Sequence, residues 1–272
     1  MNNWGIVKGR KKVRETEMID IHSHLLPGID DGSDSLDISL QMARDAVADG
    51  VTHALMTPHH MNGRYVNHAS DVINLTADFQ TELNNANIPL TVFPSQEVRI
   101  NGDLLSALDE GDILTTDDQG MYILIELPSN DVPSFTADML FRVQQRGLTP
   151  IIVHPERNTQ LMKKPDLLYD MVSSGAYTQV TASSYVGIFG KSVTAFSEDI
   201  IANGLAHMIA SDAHHIPGRK YNMRAAFDKL TKQYGQSMVN EFDNNARALV
   251  NGEPLVRWHE TPIKKKVFFS AY

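Results

Sequence analysis

The sequence predicts an α/β fold in the form of a β/α barrel, on three observations. Seven short runs rich in apolar or β-branched residues alternate with helical patterns along the chain. Strand–helix alternation of that kind is the mark of a parallel sheet, and about seven units suit a barrel more readily than an open sheet. Six of the runs end in a histidine or a carboxylate. In a β/α barrel all strand C-termini meet at one rim, where the active site lies.

Residues 1–17 are polar and basic and read as a flexible N-terminal tail, with Met18 able to serve as an internal start. Lys8, Arg10, Lys11, Lys12 and Arg14 would alternatively suit an anionic membrane surface. The first strand is MIDI, 18–21. In 35–49, Leu36, Leu40, Ala43 and Val47 repeat every three or four residues, with Ser35 able to cap and Gly50 ending the helix. HALMT, 53–57, is the second strand, and 69–86 carries Val72, Phe79 and Leu83 on one helix face. LTVFPS at 90–95 and MYILI at 121–125 follow as strands, then a helix over 134–146 ending at Gly147. PIIV at 150–153, AYTQVT at 176–181 and AHMIAS at 206–211 complete the strands, with a helix over 190–203 ending at Gly204. Helices near 222–232 and 236–250 should pack outside the barrel. The barrel domain is thus expected over 18–255, with 256–272 as a C-terminal tail.

The composition narrows the chemistry. Of 272 residues, 42% are hydrophobic and 21% charged, as in an ordinary globular protein. No apolar run approaches the ~20 residues that span a bilayer, and no secretory apolar region opens the chain, so a cytoplasmic protein is expected. The absence of cysteine excludes a thiol nucleophile, thiolate zinc sites and iron–sulfur clusters. A net charge of −9 argues against a nucleic-acid binder and obliges any anionic substrate to find a local source of positive charge.

The strand ends suggest that source. His22 and His24 follow the first strand, with Asp30 and Asp31 beyond a Pro-Gly turn; His59 and His60 follow the second. Glu97, Glu126 and His154 follow the next three, and Asp212 and His214 the last. Any one of these could be a solvated loop residue or part of a polar surface strand. Converging on one mouth, they would repel or be desolvated at several kcal/mol each unless something cationic held them, and a divalent metal fits best. His53 and His207 sit at strand beginnings, away from the rim, and His68 and His259 in loop or helix contexts. His60 and His215 directly follow ligand candidates and would orient them.

The stretches HSHLLPGIDDGSDS, MTPHHMNGRYVN, SQEVRINGDLL, LIELP, IIVHPERN and ASDAHH occur in that order. Together they resemble the polymerase-and-histidinol-phosphatase (PHP) superfamily. Within it they are similar to the manganese-dependent protein-tyrosine phosphatases of capsule and exopolysaccharide operons in Gram-positive bacteria. The resemblance runs from about Met18 to about Arg224, and HxHxLPGxDDG with HPER is its most specific part.

That resemblance implies a distorted seven-stranded β/α barrel holding three metal ions at the C-terminal rim of its strands. It implies that His22, His24, Glu97 and Asp212 serve one ion, that Glu97, Glu126 and His154 serve a second, and that Asp31, His59 and His214 hold the third. Arg157 and Arg219 match residues that grip phosphate. The chain departs from the pattern at Asn158 and His215, which bears on substrate fit. The nine nitrogen and oxygen ligands suit Mn²⁺, with Fe²⁺ or Zn²⁺ as alternatives. Three divalent ions would turn the ligand charge from roughly −4 to roughly +2, complementing a phosphate dianion.

The implied reaction is in-line hydrolysis of phosphotyrosine by a metal-activated hydroxide, with His60 as a candidate proton donor. The implied partner is a membrane-associated bacterial tyrosine kinase that regulates capsule or exopolysaccharide synthesis. That would place the enzyme in the cytoplasm near the inner membrane face. A histidinol-phosphate phosphatase-like phosphoesterase uses much the same ligands. An amidohydrolase-type barrel also opens with HxH. A non-catalytic regulator of polysaccharide assembly is the alternative of a different class, marked by a degraded ligand set, and no expected ligand is missing here.

Overall fold

In the computed structural model, which describes residues 12–14, 17–117, 119–216 and 219–264, the strands form two wholly parallel sheets. The strands are β1 (Met18–Ser23), β2 (Val51–Met56), β3 (His59–His60), β4 (Thr91–Pro94), β5 (Glu97–Arg99), β6 (Tyr122–Glu126), β7 (Thr149–Val153), β8 (Tyr177–Thr181) and β9 (Met208–Ala210). One sheet has the order β1-β2-β4, the other β3-β5-β6-β7-β8-β9.

The second and third predicted strands correspond to β2 and β4, and each is followed after a short break by a further short strand, β3 and β5. Pro58 lies in the first break and Pro94 ends β4 before the second, and a proline supplies no donor to a ladder. The chain nevertheless runs on in register: Ser95 N–H donates to the Met56 carbonyl (2.9 Å) and Glu97 N–H to that of Pro58 (3.1 Å). At the other side, Asp212 N–H donates to His22 O (2.8 Å) and His24 N–H to Ala213 O (3.2 Å), tying the stretch after β9 to the end of β1.

The helices are α1 (Leu36–Asp49), α2 (Ala69–Asn85), α3 (Leu104–Glu110), α4 (Thr136–Gln145), α5 (Thr159–Lys163), α6 (Asp166–Ser173), α7 (Ala182–Tyr185), α8 (Lys191–Ala202), α9 (Met223–Tyr234) and α10 (Gln236–Asn251). Ser35 caps α1, its side chain accepting from Ile38 N–H, and Gly50 ends it at φ 104, in the left-handed region where glycine is favoured.

Strand alternation divides the core. Ile19, Ile21, Leu55, Tyr122, Leu124, Ile151, Val153 and Met208 form an inner cluster, while Ile123, Ile125, Ile152, Val180 and Ile209 face the helices. The inner cluster is closed at the strands' N-terminal ends by Ala246, Leu249 and Val250 of α10 with Leu255 and Val13. There the Tyr122 and Tyr177 hydroxyls donate to the carbonyls of Glu253 (2.6 Å) and Leu255 (3.2 Å).

Residues 12–14 and 256–263 fall in stretches the sequence sets aside as tails, yet they pack on this body. Val13 is buried and its N–H donates to Asn251 Oδ1 (2.9 Å). Trp258 stacks on His207 and Phe242 with ring centroids 5.5 and 5.1 Å apart. Residues 1–11, 15–16 and 265–272 lie outside the described ones, and with them most of the basic tail. Among the described residues no helix is long and apolar enough to cross a membrane.

Candidate metal centre

The nine ligand candidates gather at the C-terminal ends of the strands. His22 comes from β1, His24 directly follows it and Asp31 lies in the loop before α1; His59 comes from β3, Glu97 from β5 and Glu126 from β6. His154 follows β7, and Asp212 and His214 follow β9. A register shift between Asp20 and Ser23 lies where the inner row passes from Ile21 to His22, and irregularities of this sort re-aim side chains.

The Nε2 atoms of His22 and His24 are 3.1 Å apart, and each lies 3.5 Å from Glu97 Oε2. Asp212 Oδ1 is 3.6 Å from the first and 3.5 Å from the second. Glu97 stands at the centre: Oε1 is 2.6 Å from His154 Nε2 and Oε2 is 2.7 Å from His59 Nδ1. Glu126 Oε2 approaches His59 Nδ1 to 3.7 Å. Asp31, the exposed member, places Oδ1 3.3 Å from His59 Nε2 and 3.5 Å from His214 Nε2.

Such a cluster of like and opposite charges distorts its own titration. Burial alone would raise Glu97, but His59 and His22 outweigh it and hold the carboxyl well below its ordinary range. Burial and then the Glu97 charge push Glu126 up to about 7. Burial opposes the charged form of His59, yet Glu97 and Asp31 push it up to about 11. His24 falls to about 4 through burial and the neighbouring His214, and His154 to about 3 through burial and Arg157. Asp212 stays well below its ordinary range despite burial, because Arg157 and Arg219 flank it. Their Nη2 atoms lie 2.5 and 2.7 Å from Asp212 Oδ2.

Several residues to which the sequence assigns no role support the cluster. Asp30 Oδ2 is 2.7 Å from His24 Nδ1, while its Oδ1 accepts from Gly32 N–H (2.9 Å). Gln179 Oε1 lies 3.1 Å from His22 Nδ1, and Arg99 Nε donates to Glu126 Oε2 (2.8 Å). Asp20 accepts from Ser211 N–H (2.9 Å) and from the Ser211 hydroxyl, stitching β1 to the segment that carries Asp212. Glu156 of HPER accepts from Thr181 N–H (3.0 Å), anchoring the turn between His154 and Arg157. His154 and Asp212 hold φ 35 and φ 48; such non-glycine conformations cost about 1–3 kcal/mol each and collect at functional sites.

One expectation is corrected. His60 does not reach the cluster, because consecutive strand residues face opposite sides. Its buried ring lies instead toward Asp112, 3.8 Å away, and His68, so it is no proton donor at this site. His215 is likewise turned to solvent and contributes its N–H to Gly32 O (2.7 Å).

The donor set fits metal. Glu97 Oε2 and His59 Nδ1 meet at 2.7 Å without the alignment of a hydrogen bond, and buried His214 Nε2 makes none either, which is costly for polar atoms unless another ligand takes them. Among the described residues, four triads have donor atoms within 4.8 Å of one another: His22–His24–Asp212, His22–Glu97–His154, His59–Glu97–Glu126 and His24–His59–His214. The first holds three of the four residues expected around one ion; the second joins Glu97 and His154 with His22 in place of Glu126, and the other two divide His59 between Glu97 and His214.

A family profile described as capsular polysaccharide synthesis, CpsB/CapC, matches residues 18–251, a span that contains every residue of this centre. The chain belongs to the CpsB/CapC family. Its CpsB/CapC relatives include the tyrosine-protein phosphatase YwqE of Bacillus subtilis (strain 168), 37% identical over 94% of this chain and 100% of that one. The tyrosine-protein phosphatase CpsB of Streptococcus pneumoniae is 26% identical over 86% of this chain and 98% of its own. A crystal structure from work on YwqE and that CpsB, described there as unique metal-dependent tyrosine phosphatases, superposes with a TM-score of 0.88 at 38% identity. It covers 91% of this chain and all of that one. A phosphotriesterase homology protein from Escherichia coli shares the fold alone, with a TM-score of 0.55 at 15% identity, over 84% of this chain and 96% of its own.

In this CpsB/CapC chain the centre opens into a cavity of about 340 Å³, at the small end of ligand sites. Asp31, His59, Glu126 and His154 line it together with Arg64, Arg99, Arg157 and Arg219. The acidic protein thus faces its cavity with four guanidinium groups.

Proposed function

We propose that this chain is a metal-dependent protein-tyrosine phosphatase. The observation that carries the proposal is the joining of a complete nitrogen and oxygen ligand cluster to Arg157 and Arg219 in one small cavity. The names of the relatives support the same activity.

His22, His24, Asp31, His59, Glu97, Glu126, His154, Asp212 and His214 would hold three divalent ions, with Mn²⁺ the proposed metal. Bound there, such ions acidify water into a nucleophile and draw charge from phosphate oxygens. The remaining work falls to the protein. His24, held neutral by burial, and His154, held neutral by burial and by Arg157, keep their lone pairs for coordination. Arg157 and Arg219, now on Asp212, stand at the cavity wall where equatorial phosphate oxygens would gather charge. A tyrosyl phenolate, with a pKa near ~10, departs without a dedicated acid, which agrees with His60 facing elsewhere.

The two interrupted strand pairs, β2 with β3 and β4 with β5, count as one stave each in this proposal. With the bonds between Asp212 and His22, they support a distorted seven-stranded barrel. The substrate would be a phosphotyrosine protein, proposed as a membrane-associated kinase of capsule or exopolysaccharide synthesis met at the cytoplasmic face. The test is side-by-side turnover of a phosphotyrosyl peptide and histidinol phosphate by the Mn²⁺-loaded protein. The peptide is expected to win by orders of magnitude; preference for histidinol phosphate would overturn the assignment.

A further inference from the structure

One wall of the cavity has no part in holding metal. It is the loop 61–67, and it is built to keep one ring in place. The backbone turns through Met61 at φ 59 and Gly63 at φ 87. Asn62 Oδ1 accepts from the N–H groups of Arg64 (3.0 Å) and Tyr65 (2.7 Å). Asn67 Nδ2 donates to the carbonyls of Ile29 (3.1 Å) and His59 (2.8 Å), pinning the loop to β3 and to the loop that carries Asp31.

Tyr65, half-buried, therefore lines the cavity in a fixed pose. Its ring lies within 7° of parallel to the His59 imidazole, with centroids 6.1 Å apart. The Arg64 guanidinium carbon sits 4.8 Å from the ring centroid and steadies it by a cation–π contact. Among the described residues that line the cavity, Tyr65 carries the one six-membered aromatic ring. The chamber is otherwise dominated by charged and polar groups that bind a phosphate whatever carries it.

We propose that Tyr65 is the specificity residue that selects an aryl phosphate over an alkyl phosphate. With the phosphate on the ligand cluster and the arginines, the carbon next along the substrate leaves along this wall. An aromatic ring there packs edge-to-face or offset on Tyr65, while a seryl chain offers no π face. The inference rests on the phosphatase assignment above and adds what part of the substrate this cavity reads beyond phosphate. A contact of this kind is worth about 3- to 10-fold in affinity.

The test uses the full chain loaded with Mn²⁺ and two non-hydrolysable probes, phenylphosphonate and methylphosphonate, with binding measured by calorimetry. The wild-type chain is expected to prefer phenylphosphonate. Tyr65→Leu should cut that preference about 3- to 10-fold while leaving methylphosphonate and Mn²⁺ affinity unchanged, and Tyr65→Phe should keep it. A wild-type chain without the preference overturns the proposal. So does a Tyr65→Leu chain that weakens both probes equally or loses Mn²⁺, since the ring would then merely position His59. Phosphotyrosine hydrolysis measured alongside separates the two claims. An intact preference without hydrolysis supports the role of the ring and counts against the phosphatase assignment; hydrolysis without a preference does the reverse.

Discussion

Behind His24 stands Asp30, whose Oδ2 lies 2.7 Å from the ring Nδ1 while the other ring nitrogen faces Glu97 and Asp212. A carboxylate so placed fixes the tautomer and the aim of a metal-bound imidazole, and its loss lowers metal affinity about 10- to 100-fold. Asp30→Asn is expected to show that loss in a Mn²⁺ titration. His59 makes a second residue-scale prediction. Its folded pKa, about 11, lies above the ordinary 6.5, so in the metal-free protein its charged form adds stability below pH 6.5. That contribution disappears as pH rises through 11. Metal must displace that proton, so uptake near neutral pH should release at least one proton and affinity should fall as pH falls. Calorimetry in two buffers of different ionisation enthalpy measures the release. Most ligand candidates were legible at this scale because they follow apolar runs, whereas Asp31, beyond a Pro-Gly turn, was marked only by the family resemblance. Asp30, Gln179 and Arg99 were not legible, since nothing in spacing tells which of two adjacent carboxylates turns outward, or that an amide or arginine in a strand backs a ligand. His60 was misread because adjacency in sequence means opposite faces on a strand.

At the scale of elements, the loop joining β1 to α1 holds its shape through Gly32. A Cβ there would lie 2.2 Å from the His24 carbonyl oxygen and 2.3 Å from His24 Cβ, which only a backbone shift could relieve. Gly32→Ala is therefore expected to lose about 1–3 kcal/mol of stability and most of its Mn²⁺ affinity, read by thermal unfolding with and without metal. The long helices were legible from their apolar repeat and their caps: Ser35 and Gly50 bound α1 as the sequence indicates. Elements of four to eight residues, from α5 to α7, are too short to display a helical period, and they went unseen. The breaks at Pro58 and Pro94 were present in the sequence but bear on register, which side-chain patterning alone does not reveal. The shift between Asp20 and Ser23 is of the same kind.

The whole molecule separates chemistry from stability along the strand direction, ligands at one end and an aromatic plug at the other. In the plug, His207 packs against Trp258 and Tyr177, its Nδ1 accepting from Thr178 N–H (3.1 Å). Burial and Arg257 push this imidazole down to about 3, so it is neutral when folded. Below its ordinary 6.5 the unfolded chain binds the extra proton, and stability falls with pH by up to about 1.4 kcal/mol per unit until the folded value is reached. His207→Asn should be less stable at pH 7 yet decline less steeply between pH 6 and 4, with Mn²⁺ affinity unchanged, as denaturant titrations across pH would register. The α/β class with parallel sheets was legible from alternation; the packing of 12–14 and 256–263 was not, because short polar-flanked segments declare no partner. The central claim is that the strand-end cluster works through bound divalent cations. It is tested most directly by phosphotyrosine release during chelation and Mn²⁺ re-addition, with metal content measured in the same samples. Turnover is expected to vanish as metal is stripped and to return in step with bound Mn²⁺; undiminished turnover in excess chelator would contradict it.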